Sequence, residues 1–288
     1  MNRQKLLGSM SKVFVAVVVV ATLAGASVAQ AAPLPNQINV HSQDISNGIL
    51  TVDSVTAAQP GWIVVYKNAD FTGGEIIGYA SVQAGTNTNV KVTINTKRLK
   101  LDDQIYTLWV QLQADNGVPG LFEWGLHGLP YDDAPVTQNG APVVAAFATE
   151  PSSPSSTVTA AGSTTPAPVV TKDQITVSSL EHLNTGVIEV NSVNATQNSW
   201  LVIYKDLNYN NGDIVGYAYV PAGANTNVKV TIDTKHLPDS QTTLWARLQA
   251  DNGAPGLFEW GLHNLPYFDG PVTQNGQQVM AAFGIADW

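Results

Sequence analysis

Asp115, Glu123 and Asp133 are separated by eight and ten residues, and the same three types return at the same spacing as Asp251, Glu259 and Asp269. Carboxylates carried on neighbouring loops are able to ligate a hard cation such as calcium, which takes several oxygens at once. Asn116 and the carbonyls of the adjoining Gly- and Pro-containing turns would add further oxygens. The competing reading is turn chemistry. Asn116-Gly117 and Asn252-Gly253 are the dipeptide favoured in type I′ hairpins, where both central residues need φ > 0, and an Asp beside such a turn accepts its backbone N–H groups. Neither an EF-hand loop nor a Gly/Asp nonapeptide array is present. No motif requires a cofactor, and calcium is the metal to which the repeated carboxylates point.

Glu123 and His127 stand four apart, as do Glu259 and His263. On a helix that spacing places two zinc ligands on one face. The intervening Trp-Gly-Leu reads as loop, and no third ligand follows at a suitable distance.

Four tryptophans are candidates for stacking on a sugar. Trp109 and Trp245 alternate with apolar residues and share their strand face with Gln and Arg; Trp124 and Trp260 lie in the carboxylate-bearing loop. A flat ring flanked by amide side chains suits a glycan. The alternative is that both faces of the strand are covered and the rings only pack. Trp62 and Trp200 sit in wholly apolar runs and are expected in the core.

Catalysis finds little support. The chain has no Gly-x-Ser-x-Gly elbow, and Glu123 with Asp133 would act on glycosidic bonds only at the separation such chemistry needs. A non-enzymatic protein is expected.

The elements that carry these residues are duplicated. Asn87–Ile94 recurs unchanged at Asn225–Ile232, Leu112–Gly117 at Leu248–Gly253, Pro119–His127 at Pro255–His263, and Pro135–Gly140 at Pro271–Gly276. The offset is 138 residues for the first match and 136 for the rest. Within each copy the apolar period is two: Val90, Val92 and Ile94 in one run, Leu108, Val110 and Leu112 in another. Trp62–Tyr66 is continuously apolar, as in a strand buried on both faces. Ile38–Val40, Ile49–Val55, Glu75–Val82 and Val143–Phe147 complete about seven strands, with turn signals between them. The reading is all-β: two tandem immunoglobulin-like β-sandwich domains joined by a Pro/Ser/Thr linker, with a small barrel as the alternative. The domains are placed at 37–148 and 172–288. The linker, 149–171, is expected to be extended and long enough to hold the domains tens of ångströms apart, at ~3.1 Å per residue.

Residues 1–31 read as a signal peptide. Arg3, Lys5 and Lys12 precede the apolar run Val13–Ala24, and Ala29-Gln30-Ala31 offers the small-x-small cleavage pattern. Removing them leaves 10 basic and 22 acidic residues, a net charge of −12. That surface repels nucleic acid and anionic lipid. The absence of cysteine excludes disulfides, thiol catalysis and iron–sulfur clusters. No second apolar run follows, so no transmembrane anchor is expected in the mature chain.

Three segments are similar to a family of uncharacterised domains in secreted and surface proteins of archaea and bacteria. They are Ile49–Val55 with Gly61–Tyr66, Ile77–Val90, and Asp115–Trp124 with Asp133–Val136; the second copy carries all three at Val187–Tyr204, Val215–Val228 and Asp251–Val272. The resemblance implies a β-sandwich on exported proteins and no particular activity. Together these readings predict a secreted, extracellular or cell-surface structural or interaction protein. Its partners would be extracellular or envelope components, with a pair of polysaccharide-binding modules as the alternative.

Overall fold

β-Branched and aromatic residues with period two form pleated strands because each face of the strand then meets one environment. The computed structural model describes residues 35–71, 74–101, 105–124, 132–150, 170–207, 213–262 and 268–286. The proposed signal segment, His127, His263 and most of the linker lie outside them. In the first repeat the strands are β1 (Gln37–Asn39), β2 (Ile49–Ala57), β3 (Gly61–Tyr66), β4 (Ile76–Val82), β5 (Gly85–Thr93), β6 (Thr107–Ala114), β7 (Ala134–Pro135), β8 (Thr137–Gln138), β9 (Ala141–Pro142) and β10 (Val144–Ala148). The second repeat contains β11 (Gln174–Thr176), β12 (Leu180–His182), β13 (Val187–Ala195), β14 (Ser199–Tyr204), β15 (Ile214–Val220), β16 (Gly223–Thr231), β17 (Thr243–Ala250), β18 (Thr273–Gln274), β19 (Gln277–Gln278) and β20 (Met280–Ala286).

Each repeat stacks a three-stranded sheet on a five-stranded one. The orders are β1-β2-β5 over β10-β6-β3-β4, with β7 added beside β6, and β11-β13-β16 over β12-β20-β17-β14-β15. Nearly all pairs are antiparallel; β12 runs parallel to β20. The first sandwich core closes around Leu50, Val52, Ile63, Val65, Val92 and Leu112, and the second around Ile188, Val190, Leu201, Ile203, Val230 and Leu248. Asn87, in the unchanged segment, ties the β4–β5 turn by accepting from Gln83 N and donating to Gln83 O. Thr149, assigned to the linker from sequence, is buried and accepts Tyr106 N, so the first domain extends through it.

The strand buried on both faces has an unexpected second cover. Ile63 and Val65 face their own sandwich core, while Trp62, Val64 and Tyr66 point the other way. There they join one apolar cluster with Phe122 of the same repeat and Trp200, Val202, Tyr204 and Phe258 of the other. The two repeats therefore pack directly against each other, within one unit spanning residues 34–288. The expectation of domains held apart by an extended linker is corrected. A strand face carrying Trp, Val and Tyr costs too much to leave in water, at about 25 cal/mol per Å² of apolar surface.

Candidate functional site

The repeated loops between β6 and β7, and between β17 and the segment before β18, build this seam. In the first, Asp115 Oδ2 accepts the Gly120 amide at 2.8 Å. Glu123 folds back so that Oε2 accepts Val118 N at 2.6 Å. Asp133 Oδ2 accepts the Glu123 amide at 2.6 Å. The copy repeats the pattern: Asp251 holds Gly256 N at 2.8 Å, Glu259 holds Ala254 N at 2.9 Å, and Asp269 holds Glu259 N at 2.7 Å. Glu123, Asp133, Glu259 and Asp269 are fully buried. The structure brings each trio into one loop but gathers no common cation position from the three carboxylates among the described residues.

Gly117 and Gly253 serve a different end from the I′ turn expected of them. Neither has positive φ; that turn forms instead at Asn139-Gly140 and Asn275-Gly276, with φ of 54° and 81°, and 52° and 77°. A Cβ on Gly117 would lie 1.5 Å from Glu123 Oε2, and one on Gly253 would lie 1.3 Å from Glu259 Oε2. Glycine is required because the carboxylate packs directly onto its backbone.

Burial dominates the electrostatics of these groups. It pushes Asp133, Glu259 and Asp269 up to about 7, with the accepted backbone N–H bonds pulling the other way. Glu123 is raised further, to about 9, by burial and by the neighbouring Asp233 and Asp133. Burial is also the main cause of the raised values of Tyr79 and Tyr217.

Across the seam the contacts come in matched pairs. Tyr79 donates to Phe258 O at 3.1 Å, and Tyr217 donates to Phe122 O at 3.0 Å. Each tyrosine also stacks on the phenylalanine of its own repeat, at 4.3 and 4.2 Å between centroids. Lys97 donates to the carbonyls of Asn252 and Gly253, and Lys235 to that of Gly117. Reciprocal pairing of this kind marks a local two-fold relation between the copies.

The pairing fails at one place. Asn95 caps the short 3-10 turn Thr96–Arg98, and its amide also donates to Glu259 Oε1. The equivalent cap of Thr234–His236 is Asp233, whose carboxyl lies against that of Glu123. His236 replaces Arg98 and pairs through Nδ1 with Asp233; its Nε2 lies 3.6 Å from Asp132, where the copy has Phe268. Polar side-chain atoms of Asp132, Asp233 and His236 lie within 4.8 Å of one another. Sequence reasoning missed all three residues, because it attended to what the copies share. The signal was in the positions where they differ.

The tryptophans are engaged by protein. Trp124 is 3% exposed. Trp109 is half-buried, with Phe71 edge-on at 5.9 Å. Trp245 is half-buried against the seam cluster, and the guanidinium of Arg247 lies 5.7 Å from the Trp260 ring.

Two stacked sheets per repeat and a shared apolar seam define a tandem β-sandwich protein. The chain belongs to the family described as a domain of unknown function, DUF7282, whose model matches residues 36–149 and 169–285. No curated protein matches it. Among solved structures it is similar to the periplasmic chaperone SfaE, at 14% identity and a TM-score of 0.22, over 77% of this chain and 94% of that one. It is also similar to the two tandem V-type regions of VCBP3, a v-region-containing chitin binding protein, at 8% identity and a TM-score of 0.22, over 87% of this chain and 98% of that one.

Proposed function

We propose that the protein is exported and works outside the cytoplasm as a non-enzymatic structural and interaction module, its two sandwiches acting as one rigid body. One observation carries this reading. The carboxylates repeated unchanged between the copies, Glu123 with Asp133 and Glu259 with Asp269, accept backbone amides at the seam. A duplicated hydrolase would keep such carboxylates open to a substrate and a water. Among the described residues no helix is long and apolar enough to cross a membrane. The protein's partners would be envelope or extracellular components.

Fractionation of producing cells tests the reading. The expected product begins near residue 32 on N-terminal sequencing and is recovered with the envelope or the medium. A full-length cytoplasmic product overturns it. A polysaccharide pull-down separates the alternative: retention abolished by Trp109→Ala or Trp245→Ala would make this a glycan-binding module.

A further inference from the structure

The two ends of the seam join the repeats by different chemistry. At one end Asn95 of the first repeat accepts Lys97 N through Oδ1 and donates its amide to Glu259 Oε1 of the second. At the other end Asp233 stands in the place of Asn95. Its Oδ1 accepts Lys235 N in the same way, but its carboxyl shares a hydrogen bond with the carboxyl of Glu123. Both groups are 1% exposed. An ionised carboxylate only accepts, so a hydrogen bond between two carboxyls exists only while one of them holds a proton. The neighbouring differences run the same way: His236 stands for Arg98, and Asp132 for Phe268. This end thus exchanges an amide, a guanidinium and a phenyl ring, none of which titrates near neutrality, for two carboxyls and an imidazole.

We infer that this end of the seam is a pH-sensitive latch: a proton shared between Glu123 and Asp233 bonds the repeats to each other, and its loss sets two buried like charges together and loosens the seam. Glu123 is otherwise faced by acids, Asp133 beside it and the Tyr217 hydroxyl across the seam. The basic groups lie on the other side, where His236 pairs with Asp233 and approaches Asp132, and Lys235 donates to the Gly117 carbonyl. They favour Asp233 as the carboxylate and Glu123 as the holder of the proton. Burial above all keeps that proton in place, raising Glu123 from 4.5 to about 9. Its contribution to the closed seam is therefore complete below about pH 4.5 and is lost as pH rises through about 9. Glu259, with an amide donor and Lys97 beside it, is raised only to about 7. When Glu259 ionises, its oxygen still accepts the Asn95 amide, and that end stays joined. The rigid body would thus be held at both ends in acid and at one end in alkali.

Asp133, Glu259 and Asp269 release their protons around 7, so the range from about pH 7.5 to 9 isolates the latch. Hydrogen exchange followed by nuclear magnetic resonance reads both ends in one sample, because Val118 N is held by Glu123 and Ala254 N by Glu259. Across that range the protection of Val118 relative to Ala254 should fall by roughly tenfold. Leu112 N, bonded to Val143 O within the first sandwich, should stay protected. Asp233→Asn supplies an amide donor and still caps the 3-10 turn; it should abolish the divergence. Asn95→Asp should transfer it to Ala254. A constant Val118-to-Ala254 ratio in the parent protein overturns the proposal without recourse to any variant. A divergence undiminished in Asp233→Asn overturns it too, by tracing the effect to another group. So does loss of protection at Val118 and Leu112 together, which is unfolding of the sandwich and not opening of the seam.

Discussion

Glu259 shows how one buried carboxyl shapes both architecture and pH response. It is fully buried, accepts Ala254 N and the Asn95 amide, and faces Lys97 and Asp251. Burial raises it to about 7 from 4.5, and raises Asp269 to about 7 from 3.8. The folded state thus holds protons that the unfolded chain releases, so the contribution of these two groups is complete below about pH 4 and is lost as pH rises through about 7. Melting temperatures of Glu259→Gln, measured from pH 4.5 to 8, should fall less with rising pH than those of the parent. Parallel profiles would show that Glu259 does not titrate in this window. The glycine beneath it is equally constrained. Gly253→Ala places a Cβ 1.3 Å from Glu259 Oε2. Overpacking costs about 1–3 kcal/mol, and leaving the Ala254 amide unmade adds roughly 1–3 kcal/mol. Chemical denaturation should show a loss in that range, and a neutral result would mean that the carboxylate moves aside freely.

At the scale of elements, β3 and β14 carry the most information. Their continuous apolar runs announce two covered faces, and two faces are covered. What the run does not state is the identity of the second cover, since an apolar face is satisfied by a helix, a sheet or another domain alike. Phe258 belongs to that cover: it is fully buried, stacks on Tyr217 and lies 5.4 Å from Trp200. Phe258→Ala should cost about 3–5 kcal/mol by denaturant titration. A cost under about 1 kcal/mol would mean that the seam contributes little. The Asn-Gly pairs teach the opposite lesson. Asn116-Gly117 and Asn139-Gly140 look alike as dipeptides, yet only the second takes the left-handed turn. At the first, a folded-back glutamate claims the space where a Cβ would sit, and no local propensity encodes that approach.

For the whole molecule, the local two-fold relation has a consequence for a lone repeat. Residues 34–150 alone would expose Trp62, Val64 and Phe122, and these faces are complementary to a near-copy of themselves. An isologous contact of that kind can be made by two identical chains as well as by two repeats. Sedimentation of the first repeat alone should show a dimer, dissociating on Phe122→Ala. A soluble monomer at micromolar concentration would mean that the seam depends on the linker to raise local concentration.

Composition, period and repetition by themselves determined the class, an all-β unit present twice, because the alternation of side chains across a pleat is a local property; the count of about seven strands per copy fell short of the ten among the described residues of each repeat, because two-residue strands leave no periodic signal. They also marked Asp115, Glu123 and Asp133 as a coupled set. Only the tertiary structure decided what that set does, because whether an oxygen accepts an amide or faces solvent depends on a loop folding back against a second domain. The pairing of the repeats, and the meeting of Asp132 of the first repeat with Asp233 and His236 of the second, arose the same way. Contacts between residues a hundred positions apart are set by shape and burial, and no short stretch of sequence records them.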